Sequence, residues 1–282
     1  MLKVWITGAN GQVGTAINRV VEPLDFEIMN TDMDELDVTV MEEVLRFAQI
    51  NRPDVIINCA AVTDVKKCEE NPKNAYLVNA LGARNLAIAA RKSDAVMVQI
   101  STDDVFDGKA TEPYKEFDET NPITVYGKSK LSAEHYVKEF TQKHFIIRST
   151  WVYGHTNNFV STILKRAETE SVLNAASDQF GSPTSAKELA QFILTLIRTN
   201  LYGTYHATSE GICSRYEFAQ EILRLAGKNN ELHAVLSDES ELSNIRPPYA
   251  VLENFILSCE NTYSFPHWKD SLAEFIKEEV VS

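Results

Sequence analysis

The chain is poor in cysteine. Cys59, Cys68, Cys213 and Cys259 are scattered over 282 residues with no CxxC pair, so neither a zinc site nor a disulfide framework is suggested. No apolar run approaches the ~20 residues that a membrane-spanning helix needs. The opening residues Met1 to Thr7 lack the long apolar core of a signal peptide and lead at once into a glycine turn. Basic residues are also in short supply. The 27 Lys and Arg against 40 Asp and Glu leave a net charge of −13, which argues against nucleic acid and anionic membrane surfaces as partners. An anionic ligand would have to be held by local groups that overcome this field. No internal repeat or low-complexity linker interrupts the chain. These absences predict a reduced, soluble, cytoplasmic protein.

What is present is an ordinary globular composition, 44% hydrophobic and 24% charged. The length suits one large domain, or a medium domain with a smaller partner. The first half alternates strands and helices. Residues 2–7 read as a buried strand, and residues 15–21 as a helix. Between them Gly8, Gly11 and Gly14 form a GxxGxxG turn with Gln12 and Val13. Glycines there allow a tight turn and let backbone N–H groups approach a pyrophosphate at a helix N-terminus. The usual dinucleotide fingerprint is GxGxxG, so the spacing departs from it.

A second strand at 26–30 leads to Asp32. That residue either reads a ribose 2′-hydroxyl, where its charge would repel a 2′-phosphate and favour NADH, or ends the strand in a turn. Asp37, ahead of a helix at 40–50, is either a helix-entry residue or an adenine contact. A strand at 55–61 ends in Ala60 and Ala61, small residues that with Thr63 allow a cofactor close approach. A long helix at 73–90 and a strand at 95–100 follow. The latter ends in Ser101-Thr102-Asp103-Asp104, polar side chains at the carboxyl end of a strand, where open α/β sheets bind ligands.

The chain then presents Tyr126-Gly127-Lys128-Ser129-Lys130. On a helix, Tyr126 and Lys130 share one face a turn apart. An ammonium beside a phenol favours the phenolate, so Lys130 is expected to lower the pKa of Tyr126 and ease its loss of a proton. The alternating pattern predicts a doubly wound parallel sheet of the Rossmann type over residues 1–150, with a smaller α/β substrate lobe over 151–282 and part of 184–208 joining the first unit. In the second half, strands are expected at 145–150, 172–175, 203–208 and 232–236. Helices are expected at 159–170, 187–198, 214–225 and 268–280, with Ser214 as a cap. A polar loop at 178–185 would close over the mouth of the sheet. Arg246 either pairs with a substrate diphosphate, which a guanidinium suits, or is a surface cation.

Taken together, these motifs resemble the extended short-chain dehydrogenase/reductases, and within them the dTDP-4-dehydrorhamnose reductases. The likeness runs nearly end to end. It includes Asn58-Cys59-Ala60-Ala61-Val62-Thr63, Val105-Phe106-Asp107-Gly108, Arg148-Ser149-Thr150-Trp151-Val152-Tyr153-Gly154, Gln179-Phe180-Gly181-Ser182-Pro183-Thr184 and Arg246-Pro247. The resemblance implies NADPH or NADH as hydride donor to C4 of a dTDP-4-keto-6-deoxy sugar, giving dTDP-L-rhamnose. It implies Tyr126 as proton donor, Lys130 at the nicotinamide ribose and Thr102 at the reacting centre. It further implies Gly11, Gln12 and Val13 at the pyrophosphate, Asp37 and Val38 at the adenine, and Ala61, Val62 and Thr63 at the inner cofactor. Thr102, Asp103 and Trp151 would line the substrate site. A homodimer is possible, since relatives often pair through the cofactor domain.

Two positions depart from the family. Asp104 stands where relatives usually carry tyrosine, which makes Thr102-Asp103-Asp104 partly resemble the Thr-Asp-Glu of sugar-nucleotide dehydratases. A solvated loop carboxylate is the expectation for it. Ala16 stands where some relatives carry a glutamate that binds magnesium, so no metal is predicted. Two other readings stay open. One is a dehydratase or epimerase of the superfamily; the other is a non-enzymatic dinucleotide-binding subunit, like the regulatory subunit of methionine adenosyltransferase.

Overall fold

The computed structural model describes residues 1–237 and 246–281. Its first element, β1 (Leu2–Thr7), shows why the main sheet forms. Val4 and Ile6 face one side, Trp5 the other, and all three are fully buried. A strand apolar on both faces is stable only with helices on both sides, which is the condition of a parallel sheet. The same alternation recurs in β3 (Val55–Asn58), where Val55 and Ile57 enter one core and Ile56 the other.

Along the first half, α1 (Gln12–Val20), β2 (Phe26–Thr31) and α2 (Met41–Asn51) precede β3. After it come α3 (Val65–Glu70), α4 (Pro72–Ala75) and α5 (Ala83–Ser93), then β4 (Val96–Thr102), α6 (Val125–Phe140) and β5 (His144–Ser149). The second half contributes β6 (Val152–Tyr153), α7 (Phe159–Thr169), β7 (Val172–Ala176), β8 (Phe180–Gly181), β9 (Thr184–Ser185), α8 (Ala186–Leu196) and β10 (Gly203–His206). It continues with β11 (Cys213–Ser214), α9 (Arg215–Leu225), β12 (Glu231–Val235), β13 (Tyr249–Ala250), α10 (Phe255–Glu260) and α11 (Trp268–Val281).

Six strands form one sheet in the order β10-β5-β4-β3-β1-β2, every pair parallel. One face packs on α1 and α8 through Ile17, Leu189, Ala190 and Ile193; the other packs on α2, α5 and α6 through Val44, Leu86, Ala90 and Val137. This is the doubly wound α/β architecture. A third core, around Tyr153, Ile163, Leu173, Phe218 and Trp268, joins α7, α9 and α11. It carries the small sheets β12-β7 and β11-β8-β13.

Four local points differ from expectation. The strand expected to reach residue 61 stops at Asn58. There the side chain takes over from the ladder: Asn58 Oδ1 accepts from the Thr7 hydroxyl at 2.9 Å and from the Ala60 N–H at 3.1 Å. The helix expected over 73–90 contains a π-helical turn at Tyr76–Gly82. Helix α3 had no predicted counterpart. It is capped by Asp64, which accepts from the Lys67 N–H at 3.2 Å. The loop expected at 178–185 includes the two short strands β8 and β9.

Candidate functional site

Strand order decides where the site lies. The connection after β1 leads outward to β2 and the connection after its neighbour β3 leads the other way to β4, so a crevice opens between the carboxyl ends of β1 and β3. The glycine turn sits in that crevice. Gly8 has φ +66°, and a Cβ on it would lie 2.6 Å from the Ala60 backbone nitrogen. A Cβ on Gly14 would lie 2.7 Å from Gly8 O. Only glycine fits either position. Gly11 caps α1 without any side-chain bond to its first N–H groups. The helix therefore offers unclaimed donors and its positive end to the crevice.

The crevice opens into a cavity of about 570 Å³. Its wall takes Gly11, Gln12 and Val13 from the turn, Cys59, Ala61 and Thr63 after β3, and Ile100 to Asp103 at the end of β4. Tyr126 and Lys130 come from α6, and Trp151, Gln179, Arg215 and Arg246 from the second half. Asp32, Asp37, Val38, Ala60 and Val62 are not part of this wall. Asp32 braces the turn from behind, accepting from the Asn10 N–H at 2.9 Å and the Met33 N–H at 2.8 Å. Asp37 accepts from the Thr39 N–H at 2.8 Å. Val38 packs under Gly82, where a Cβ would come within 2.8 Å of it. Val62 is tied through both backbone groups to Asn79, whose amide also donates to Ser129. Asn79 thus links the segment after β3 to α6.

Tyr126 and Lys130 do share one buried face of α6, but the electrostatics differ from expectation. Lys130 Nζ donates to the Ile100 carbonyl at 2.6 Å. Burial brings its pKa down to about 8, while Glu134 and Cys59 act to raise it. The largest influences on Tyr126 come from elsewhere. Burial raises the phenol well above its ordinary value, and Asp104 and Asp103 push the same way; Arg246 and Thr102 oppose them. Tyr126 therefore holds its proton firmly at neutral pH. Behind it, Glu134 on α6 binds Arg148 on β5 through two bonds of 2.9 and 2.8 Å and accepts from the Ser101 hydroxyl at 2.6 Å. This buried network fixes α6 against the ends of β4 and β5.

Thr102 Oγ1 donates to Asp103 at 3.1 Å and accepts from the Asp104 N–H at 3.2 Å. Burial and the neighbouring Asp104 raise Asp103 to about 7. Asp104 itself is not a solvated loop carboxylate. Its side chain is 0% exposed, and its Oδ2 lies 3.1 Å from Arg246 Nη1. Arg246 is accordingly not a surface cation. Its guanidinium carbon stands 5.8 Å from the centre of the Tyr126 ring. The Gln12 side chain reaches beyond the turn. Its amide donates to the Asn157 carbonyl at 2.9 Å and accepts from the Thr156 N–H at 3.4 Å, so its side chain joins the turn to the loop before α7.

Trp151, in the cavity wall, has φ +47°, in the left-handed region. The Arg215 guanidinium covers its ring at 3.6 Å, with Phe159 on a second side of the cation at 4.9 Å. Gly181 makes room for the indole: a Cβ there would sit 2.6 Å from it. Arg215 has no counterpart in the sequence reading. One signal was available. It is the first residue of α9, and a cation there opposes the helix dipole, which a purely structural helix avoids. Cys59, also unforeseen, is a neutral thiol, since burial pushes it up to about 12. Among the described residues no group of three His, Cys, Asp or Glu could hold a metal ion. Nor is any helix among them long and apolar enough to cross a membrane.

Residues 2–281 match the family described as the RmlD substrate binding domain. The chain is 38% identical over 279 residues to the spore coat polysaccharide biosynthesis protein SpsK of Bacillus subtilis, covering 99% of this chain and 98% of that one. A dTDP-4-dehydrorhamnose reductase of Clostridium acetobutylicum has a solved structure that superposes with a TM-score of 0.97 at 44% identity, over 99% of this chain and 100% of that chain. The dTDP-4-dehydrorhamnose reductase of Bacillus anthracis, solved in complex with NADP, gives 0.95 at 39% identity, over 99% of each chain.

Proposed function

The chain belongs to the RmlD substrate binding domain family, and on that premise we propose that it reduces the 4-keto group of a dTDP-4-keto-6-deoxy sugar, forming dTDP-L-rhamnose with NADPH or NADH as reductant. The observation that carries this reading is the meeting of a protonated phenol, Tyr126, with Thr102 and Lys130 in one cavity whose other end is an uncapped helix N-terminus. That end fits a dinucleotide. Gly8, Gly11 and Gly14 leave a cradle that side chains would fill, and the first N–H groups of α1 suit a pyrophosphate. When bound there, the reduced nicotinamide supplies the hydride.

The chain's own residues supply the rest. Lys130, a cation below about pH 8, would hold the ribose hydroxyls. Ala61 and Thr63 leave room for the inner half of the dinucleotide. Tyr126 keeps its proton until charge develops on the sugar oxygen, then donates it; Thr102, in the same cavity wall, would steady that oxygen. Trp151 offers a flat apolar wall for the sugar. Arg215 and Arg246 supply local positive charge for the diphosphate, which a protein of net charge −13 must concentrate in one place.

The test is incubation with dTDP-4-keto-6-deoxy-L-mannose and each reduced dinucleotide, with product identification. Stoichiometric loss of the dinucleotide's absorbance and appearance of dTDP-L-rhamnose support the reading. Sugar turnover without dinucleotide loss indicates a dehydratase or epimerase, and dinucleotide binding without turnover indicates a non-enzymatic subunit.

A further inference from the structure

We propose that Asp104 is a positioning residue for substrate binding: its ion pair with Arg246 holds that guanidinium at the cavity wall beside Tyr126, where it receives the diphosphate of the nucleotide sugar. This rests on the reductase reading of the same cavity and adds to it the residue that aims the arginine.

Three observations converge on Asp104. The first is the pair itself. The carboxylate is fully enclosed, while the Arg246 side chain is 25% exposed and reaches the cavity. A buried carboxylate is costly unless a partner compensates it. Oδ2 has Arg246, and Oδ1 has no hydrogen-bond partner among the described residues. Arg215 also attracts the carboxylate, but the cation in direct contact with it comes from a segment 142 residues away. The second is the packing of that segment. A Cβ on Gly108, four residues after Asp104, would lie 2.5 Å from Pro247 Cβ. The residue after Arg246 is therefore seated on the same loop that carries Asp104. The third is the link to the proton donor. A Cβ on Gly127 would overlap the Asp104 carbonyl oxygen, so the first turn of α6, with Tyr126, rests directly on Asp104. One residue thereby fixes the spacing between the phenol and the guanidinium. Burial acts against the charge on Arg246, and Asp104 and then Asp103 outweigh it. The guanidinium remains a cation for an incoming anion, and the aspartate fixes its place.

The test uses the full-length protein and four forms: unaltered, Asp104→Asn, Arg246→Gln and the double variant. Affinities for dTDP and for uncharged thymidine are measured by calorimetry, and KM values for the keto sugar and for NAD(P)H by steady-state kinetics. Asp104→Asn should weaken dTDP binding and raise the keto-sugar KM roughly tenfold, the scale of one charge-assisted contact. Thymidine affinity and the NAD(P)H KM should stay within about twofold. In the Arg246→Gln background, Asp104→Asn should add nothing. Equal losses in both backgrounds, or a thymidine loss matching the dTDP loss, would overturn the proposal. If Asp104→Asn does not fold, Asp104→Glu, which keeps the charge but moves it by one methylene, carries the same comparison of dTDP with thymidine, and equal losses again overturn it. dTDP binding needs no turnover. A protein that binds dTDP through this pair yet consumes no NAD(P)H would keep the positioning role and refute the reductase reading.

Discussion

Lys130 Nζ lies 2.6 Å from the carbonyl oxygen of Ile100. The lysine on α6 is therefore bound to the end of β4, two residues before Thr102, and not to the phenol one turn earlier. Burial lowers it to about 8, so it is a cation below that pH and neutral above it. If its charge holds the cofactor ribose, kcat/KM for NAD(P)H should be level below about pH 8 and fall above it. Lys130→Arg keeps a cation at all working pH values, and the alkaline limb should move upward. A limb that stays in place in the arginine variant would assign it to another group.

Tyr126→Phe removes only a hydroxyl from a buried ring. Positioned proton transfer contributes roughly 100- to 10,000-fold, so kcat should fall within that range. NAD(P)H and keto-sugar KM values should change little. Steady-state kinetics with a dinucleotide-binding titration checks this, and unchanged turnover removes Tyr126 from the mechanism.

Gly181→Ala tests the substrate wall from behind. Its Cβ would sit 2.6 Å from the Trp151 indole, whose ring the Arg215 guanidinium already covers at 3.6 Å. The indole, part of the cavity wall, must shift. The expected result is a higher keto-sugar KM, an unchanged NAD(P)H KM and a stability loss of about 1–3 kcal/mol from overpacking. Denaturant unfolding and kinetics on the same preparation read both. A KM unchanged in the face of the stability loss would remove Trp151 from the substrate wall.

Two buried groups pull stability in opposite directions as pH changes. His206 is brought down from 6.5 to about 3, first by burial and then by Arg148. The unfolded chain binds its proton more readily, so the contribution of His206 is complete above pH 6.5 and is lost as pH falls toward 3. Asp103 is raised from 3.8 to about 7. Its contribution is complete below pH 3.8 and is lost as pH rises toward 7. Between pH 4 and 6.5 the two slopes partly cancel. His206→Asn should therefore make unfolding free energy rise less steeply, or fall, with increasing pH in this window, and Asp103→Asn should make it rise more steeply. Urea unfolding at several pH values measures both slopes, and parallel shifts of the whole curve would contradict the assignment.

Much of this molecule is legible in local sequence. Val4, Trp5 and Ile6 alternate between two buried faces because a strand has a period of two, and Val55, Ile56 and Ile57 repeat the pattern. The glycine turn, the polar end of β4 and the shared face of Tyr126 and Lys130 follow from short-range spacing, so they could be placed without coordinates. Ser214 likewise caps α9 with Glu217 in a reciprocal pair that four residues encode.

What the sequence by itself determined is the alternation of strands and helices and the chemistry waiting at the strand ends, because these depend on neighbours within a turn or a pleat. Tertiary structure alone decided which charges face Tyr126. Asp104 read as a surface carboxylate, and Arg246 read equally well as a surface cation. Each is a polar residue in a loop, and nothing local marks the other as its partner. Folding brings them to 3.1 Å across 142 residues, excludes water from the carboxylate, and thereby turns two unremarkable loop residues into a fixed electrostatic frame. The stacking of Arg215 on Trp151 has the same origin: long-range packing leaves no periodic trace in the chain that produces it.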